Sequence, residues 1–266
     1  MTHHTTQTHA SERGFTLVEL AIVMIIIGLL IGGILKGQEL IGNARVSSTV
    51  AQVKAIETGI GTFRDKYAAL PGDIRNVAAR LPNCAAGACA TDPATGAGGD
   101  GQLANTGNVF DPGLAVSGTT EAGLAFIHMA AAGMIGGVNP TTASTAMGLG
   151  TSNPTTPLGG GWVIGTSNGT ATGMLLTTGL TSGVYVASSP ALGSNIPTAN
   201  AQVMPPVQAG NIDRKIDDGR PNTGDVRAIG NATAAAGSTC TDANTAAGIY
   251  QEAVSGNICG VYAKVQ

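Results

Sequence analysis

The sequence predicts an α+β fold, a long N-terminal helix followed by a large head built on an antiparallel sheet. Three observations predict it. Residues 15–35 are almost continuously apolar. Residues 46–67 carry a one-sided apolar stripe. Further on, short apolar clusters alternate with Gly, Asn and Thr, a pattern of strands and turns.

Residues 15–35 hold one charged side chain, Glu19. About 20 apolar residues in a helix match a hydrocarbon core of roughly 30 Å. The run is too long for the apolar part of a secretory signal, and Lys36-Gly37-Gln38-Glu39 follows it instead of a small-residue cleavage site. It reads as a retained membrane anchor. Glu19 is costly inside a bilayer, on the order of 2–3 kcal/mol. Two explanations stand: the side chain sits protonated or snorkelled near the interface, or it meets a cation from another chain.

The stripe runs through Val46, Val50, Val53, Ile56, Ile60, Phe63 and Tyr67, in steps of three and four. Leu70-Pro71-Gly72 disfavours helix, so the helix is expected to stop near Ala69. Gly28, Gly32, Gly33, Gly37 and Gly42 lie along its apolar and early amphipathic part. Gly28 and Gly32 form a G-x-x-x-G, read either as a close-approach face between helices or as a weak point; extension in an assembled fibre is expected around Gly32–Gly33.

The head is expected to contain a helix over 121–135 capped by Thr119 or Thr120. Strands are expected at 162–165, 173–177, 184–187, 226–229 and 258–265, as a meander packed on the amphipathic half of the first helix. Pro205 and Pro206 open a further helix that carries residues 213–218 and ends at Gly219.

Composition excludes several function classes. With 13 Lys+Arg against 16 Asp+Glu and 3% aromatics, the chain lacks the basic footprint and stacking rings of a nucleic-acid binder. With 40 glycines and 11% charged residues it is no continuous coiled coil, and 43% apolar residues argue against disorder. No catalytic motif or cofactor site emerges. Gly159-Gly160-Gly161 lacks the Lys-Ser/Thr of a phosphate loop, and His128 stands on an apolar helix without a nucleophile motif. Asp213, Asp217 and Asp218 are weak calcium candidates. Arg214, Lys215, Arg220 and Arg227 interleave with them, so a solvated or salt-bridged face is expected.

A polar leader, residues 1–14, precedes the apolar run and ends Arg13-Gly14. Together with Phe15-Thr16-Leu17-Val18-Glu19 it resembles the processing site of type IV prepilins and type II secretion pseudopilins. The resemblance implies a type IV pilin-like fold, cleavage between Gly14 and Phe15 by a membrane prepilin peptidase, and N-methylation of Phe15. It implies Glu19 as the assembly carboxylate. The new amino group would lie at i, i+4 spacing from Glu19, so staggered copies could neutralise the two charges against each other. The expected segments are the leader at 1–14, the membrane or filament-core helix at 15–35, the amphipathic helix at 36–70 and the head at 71–266.

The implied partners are copies of the chain, other pilins or pseudopilins, the peptidase/methylase, an inner-membrane assembly platform and the lipid bilayer. The implied place is a bacterial inner membrane, leader cytoplasmic and head periplasmic, and then a filament. Four cysteines fit an oxidising compartment. The favoured pairs are Cys84–Cys89 and Cys240–Cys259, the second similar to the disulfide-bounded C-terminal region of many type IV pilins. Free thiols are the alternative, and the spacing is wrong for a four-cysteine zinc site. Three functions compete: a pilus subunit, a secretion pseudopilin, and a membrane-anchored binding or enzymatic domain that never polymerises.

Overall fold

The computed structural model describes residues 14–93, 98–103, 120–167, 169, 180–192, 202–230, 239–243 and 245–266. The chain divides into two compact units, Met1–Ala44 and Arg45–Gln266. The helix α1 (Leu17–Tyr67) contributes to both.

Within the first unit, Leu17, Leu29, Leu35 and Leu40 are among many large apolar side chains left exposed. An 18-residue window of this helix reaches a mean hydropathy of 2.8 with none of it buried. By length and composition it can cross a membrane, and with all backbone groups bonded internally it suits one. Gly32 and Gly33 are helical here, and a Cβ on either would meet nothing within 4 Å.

The second unit begins where the stripe begins. Val46, Val53, Ile56, Ile60 and Phe63 are buried, while Val50 and Tyr67 pack on the same core from its margin. The helix stops at Tyr67, two residues before the expected end. Ala68 turns into the left-handed region at φ 51 and bonds back to the Arg64 carbonyl at 2.8 Å. The Arg80 guanidinium, on the short helix α2 (Val77–Arg80), donates to the Tyr67 carbonyl. A distant arginine thus satisfies one of the free carbonyls of the last turn, which the Leu-Pro-Gly signal could not reveal.

A 3₁₀ turn at Ala88–Ala90 lies beside the Cys84–Cys89 disulfide. Then comes α3 (Glu121–Ala131), with the Thr120 hydroxyl accepting from the Gly123 amide. Thr119 lies outside the described residues. The helix is shorter than expected from 121–135. Gly133, at φ 74, donates to the Ala130 carbonyl, and Met134 reaches back to Met129 at 2.9 Å. That pair of bonds is a glycine-terminated helix end.

The sheet has four antiparallel strands, β1 (Gly161–Ser167), β2 (Gly183–Ser189), β3 (Val226–Ile229) and β4 (Gly260–Lys264). The order is β1-β2-β4-β3, not the sequential order of a simple meander. Between β2 and β3 the chain passes through α4 (Pro206–Ile216), so nothing holds those two strands side by side, and β4 takes the place between them. The segment 173–177, expected as a strand, lies outside the described residues.

Alternation divides the sheet into two buried faces. Trp162, Ile164, Val184, Val186, Val261 and Ala263 share one core with the α1 stripe and α3. Trp162 Nε1 also donates to Gln52 Oε1 on α1 at 3.2 Å. Val163, Tyr185, Ala187, Ile229 and Tyr262 form a second cluster on the opposite face.

Cys240 is bridged to Cys259, across a separation of 19 residues, immediately before β4. Closing a loop of that size is worth about 3 kcal/mol by chain entropy. Replacing both cysteines by serine is therefore expected to lower head stability by about that amount, readable as a fall in the denaturation midpoint. An unchanged midpoint would show that the loop is held without the bridge.

Candidate processing and assembly site

At the N-terminal end, residues 14–16 precede the helix and are exposed, Phe15 at 85%. Thr16 caps α1. Its amide and hydroxyl both donate to Glu19 Oε2, at 2.9 and 2.8 Å, and the Glu19 amide donates back to Thr16 Oγ1 at 3.3 Å. This is a reciprocal capping box, Thr-x-x-Glu, which satisfies two of the amides that every helix N-terminus leaves open. The spacing Thr16…Glu19 is itself the signal, present in the sequence within the apolar run. In the single chain, the acid is held by its own helix end.

The scissile position expected between Gly14 and Phe15 therefore stands two residues outside the helix, and residues 1–13 lie outside the described residues. A polar leader, a capped helix start and a long exposed apolar helix follow one another without interruption. The prokaryotic N-terminal methylation motif matches residues 9–35. The chain carries the type IV pilin and pseudopilin signature. With α1 and the four-stranded antiparallel sheet, the architecture is an α+β, pilin-like fold. The signature marks structural precursor proteins, and with the long apolar helix it fits membrane anchoring. No curated protein and no solved structure matches the chain.

The other sites expected from sequence lie in the head. Asp213, Asp217 and Asp218 do come together, with carboxylate oxygens within 4.8 Å of one another. Only Asp213 departs from the expected solvated face: Asp217 is half-buried and Asp218 exposed. Asp213 is fully buried at the end of α4, and its carboxylate takes the Tyr250 hydroxyl at 2.9 Å and the Gly219 amide at 3.2 Å. Asp217 accepts the amides of Asp225 and Val226, while Asp218 accepts the Arg220 amide and the Thr223 hydroxyl. Arg214 turns instead to Glu252, at 2.7 Å. The helix stops at Ile216, short of Gly219, so Asp217 and Asp218 belong to the following turn. Backbone and hydroxyl donors account for the convergence of the three acids: they clamp the α4–β3 connection and tie α4 to the disulfide loop.

Burial pushes the Asp213 carboxyl up to about 7, against the two hydrogen bonds, which favour the anion; Asp217 and Asp218 add to the rise. The folded chain therefore holds this proton from roughly pH 4 to 7, where the unfolded chain has lost it. The stability so gained is complete in acid and disappears as pH rises through 7. Asp213→Asn keeps the shape and removes the charge. It is expected to melt no lower than wild type at pH 8, and to lose the part of the pH dependence between 4 and 7 that Asp213 supplies. A variant much less stable than wild type at pH 8 would mean that the anion itself is needed.

His128, placed on an apolar helix by the sequence, is fully buried in α3. Gly160, in the glycine run, adopts φ 64 in the turn leading into β1, where a Cβ would overlap the Ser189 carbonyl oxygen. The run thus serves close backbone packing.

Proposed function

We propose that the chain is the precursor of a structural subunit of a type IV pilus-like filament, without enzymatic activity of its own. The observation that carries this reading is the methylation motif over residues 9–35, placed directly on a long, exposed, apolar helix. On this reading, a prepilin peptidase removes residues 1–14 and Phe15 becomes the methylated N-terminus. Residues 15–35 hold the subunit in the inner membrane and later in the filament core. The amphipathic part of α1 carries the head into the periplasm and onto the fibre, where the subunit meets its copies and other pilins.

Glu19 has two successive partners in this scheme. In the monomer it caps its own helix through Thr16. In the fibre it turns to the amino group of a neighbouring copy, which exchanges a local hydrogen bond for an ion pair where water is scarce. The head suits an outward surface: residues 81–212 contain no Lys or Arg, and two disulfides brace it.

The test is mass analysis of filaments sheared from the cell surface. Mature polypeptide beginning at a methylated Phe15 is expected in them. The same mature chain confined to the periplasm, with protein export impaired by its deletion, would assign it to a type II secretion pseudopilus. A chain still beginning at Met1 and absent from any fibre would identify a membrane-anchored domain that does not polymerise.

A further inference from the structure

We propose that His128 is an acid-operated latch on the Leu70–Asp73 turn that follows α1: on taking up a proton it lets go of the Gly72 amide and frees that turn from α3.

The geometry begins with one hydrogen bond. Both partners are buried, and the Gly72 N–H donates to His128 Nδ1 at 3.0 Å. A nitrogen that accepts carries no proton, so the neutral ring holds its hydrogen on Nε2. Among the described residues, Nε2 has no hydrogen-bond partner. A second proton must therefore go to Nδ1, where a donor already points. Two N–H groups facing each other repel, and the bond that fastens the turn is lost.

Nor can the turn simply shift aside. Gly72 sits at φ 99 with its Cα against the first turn of α3; a Cβ there would overlap the Glu121 carbonyl oxygen and come within 3.1 Å of Leu103 Cδ2. Accommodating the imidazolium thus requires the turn to lift or the ring to leave its site.

The acids on the surrounding segments are few. Asp92, just past the 3₁₀ turn, attracts the charged ring; Glu121, fully buried, lies about two turns earlier on the same helix with its carbonyl beside Gly72, and Asp73 follows Gly72. The 3₁₀ turn and β1, both packed on α3, bring no charged side chain. Burial outweighs Asp92 and holds His128 down to about 3, against an ordinary 6.5. Between these values the closed turn refuses the proton and the opened turn accepts it. The open population then grows about tenfold for each pH unit below 6.5. In acid, the turn at Gly72 should loosen while the sheet stays folded.

Hydrogen exchange on the full chain in detergent micelles tests this. After correction for intrinsic exchange, the protection of the Gly72 amide is expected to fall about tenfold per pH unit from 6.5 to 4.5, with amides of β2 falling much less, because the global opening they require also releases the proton held by Asp213 and that cost offsets the gain at His128. Constant protection at Gly72, or a fall in step with β2, would overturn the latch; the latter would mark His128 as a core residue that acts through global stability. His128→Gln supplies a neutral acceptor and is expected to make Gly72 protection independent of pH. If that variant folds and keeps the wild-type pH dependence, the proposal fails. If it does not fold, the wild-type comparison of Gly72 with β2 decides.

Discussion

Gly72→Ala is expected to prevent the head from reaching its native fold. Three costs fall on one methyl group. Its backbone lies at φ 99, a region that residues with a Cβ rarely adopt. The added carbon would overlap the Glu121 carbonyl oxygen and lie 3.0 Å from the carbonyl carbon, and neither backbone atom can swing away as a flexible side chain would. Any retreat of the turn also breaks the bond from the Gly72 amide to His128. Together these should exceed about 4 kcal/mol, beyond the common range for a point substitution. Gly61→Ala is the control. Gly61 lies on α1 with nothing within 4 Å of its would-be Cβ, and alanine there should stabilise by about 0.5–1 kcal/mol through helix propensity alone. Thermal melts of both variants measure the contrast. A Gly72→Ala head within 1 kcal/mol of wild type would show that the turn is not pinned as the structure indicates.

Glu19→Ala should remove filament assembly while leaving membrane insertion and leader cleavage largely intact. Taking a carboxylate out of the apolar run makes the segment more hydrophobic, so insertion does not suffer. The expected cleavage position lies before the helix start, where the peptide remains accessible. What disappears is the partner for the new amino group of the neighbouring subunit, which would then enter the filament core as an unpaired charge, costing several kcal/mol at every interface. The cap on α1 is lost as well, at roughly 1 kcal/mol, a small effect beside the first. Assembly is read from sheared fibres, and cleavage from the mass of the membrane-bound chain. Normal fibre yield from this variant would remove the charge-neutralising role. Thr16→Ala separates the two effects, since it weakens the cap and spares the carboxylate.

The head shows where local reading stopped. Its strands were legible as alternating apolar clusters, and β3 occupies the expected residues. Their order was not, because it depends on which hairpin edge β4 meets after the chain has passed through α4. Helix ends failed for a related reason. Leu70-Pro71-Gly72 announced a stop, yet Ala68 and a guanidinium thirteen positions from Tyr67 fixed where it falls. At α4, acids alternating with arginines read as a solvated face. Asp213 is buried because Tyr250, 37 residues later, returns through the disulfide loop to donate to it. At the N-terminus the capping box is written in a four-residue spacing, embedded in an apolar run whose membrane character is the stronger pattern.

The amino-acid order by itself determined the signature over residues 9–35, the long helix with an apolar and an amphipathic half, and the α+β class. These rest on hydrophobic periodicity and on a motif carried within a few consecutive residues, so neighbours along the chain suffice to write them. The tertiary structure alone decided the strand order, the second buried face with Tyr185 and Tyr262, the burial of Asp213 and the fastening of Gly72 to His128. Each depends on groups far apart in sequence meeting in a dry interior, where removal from water and a single hydrogen bond outweigh any local preference.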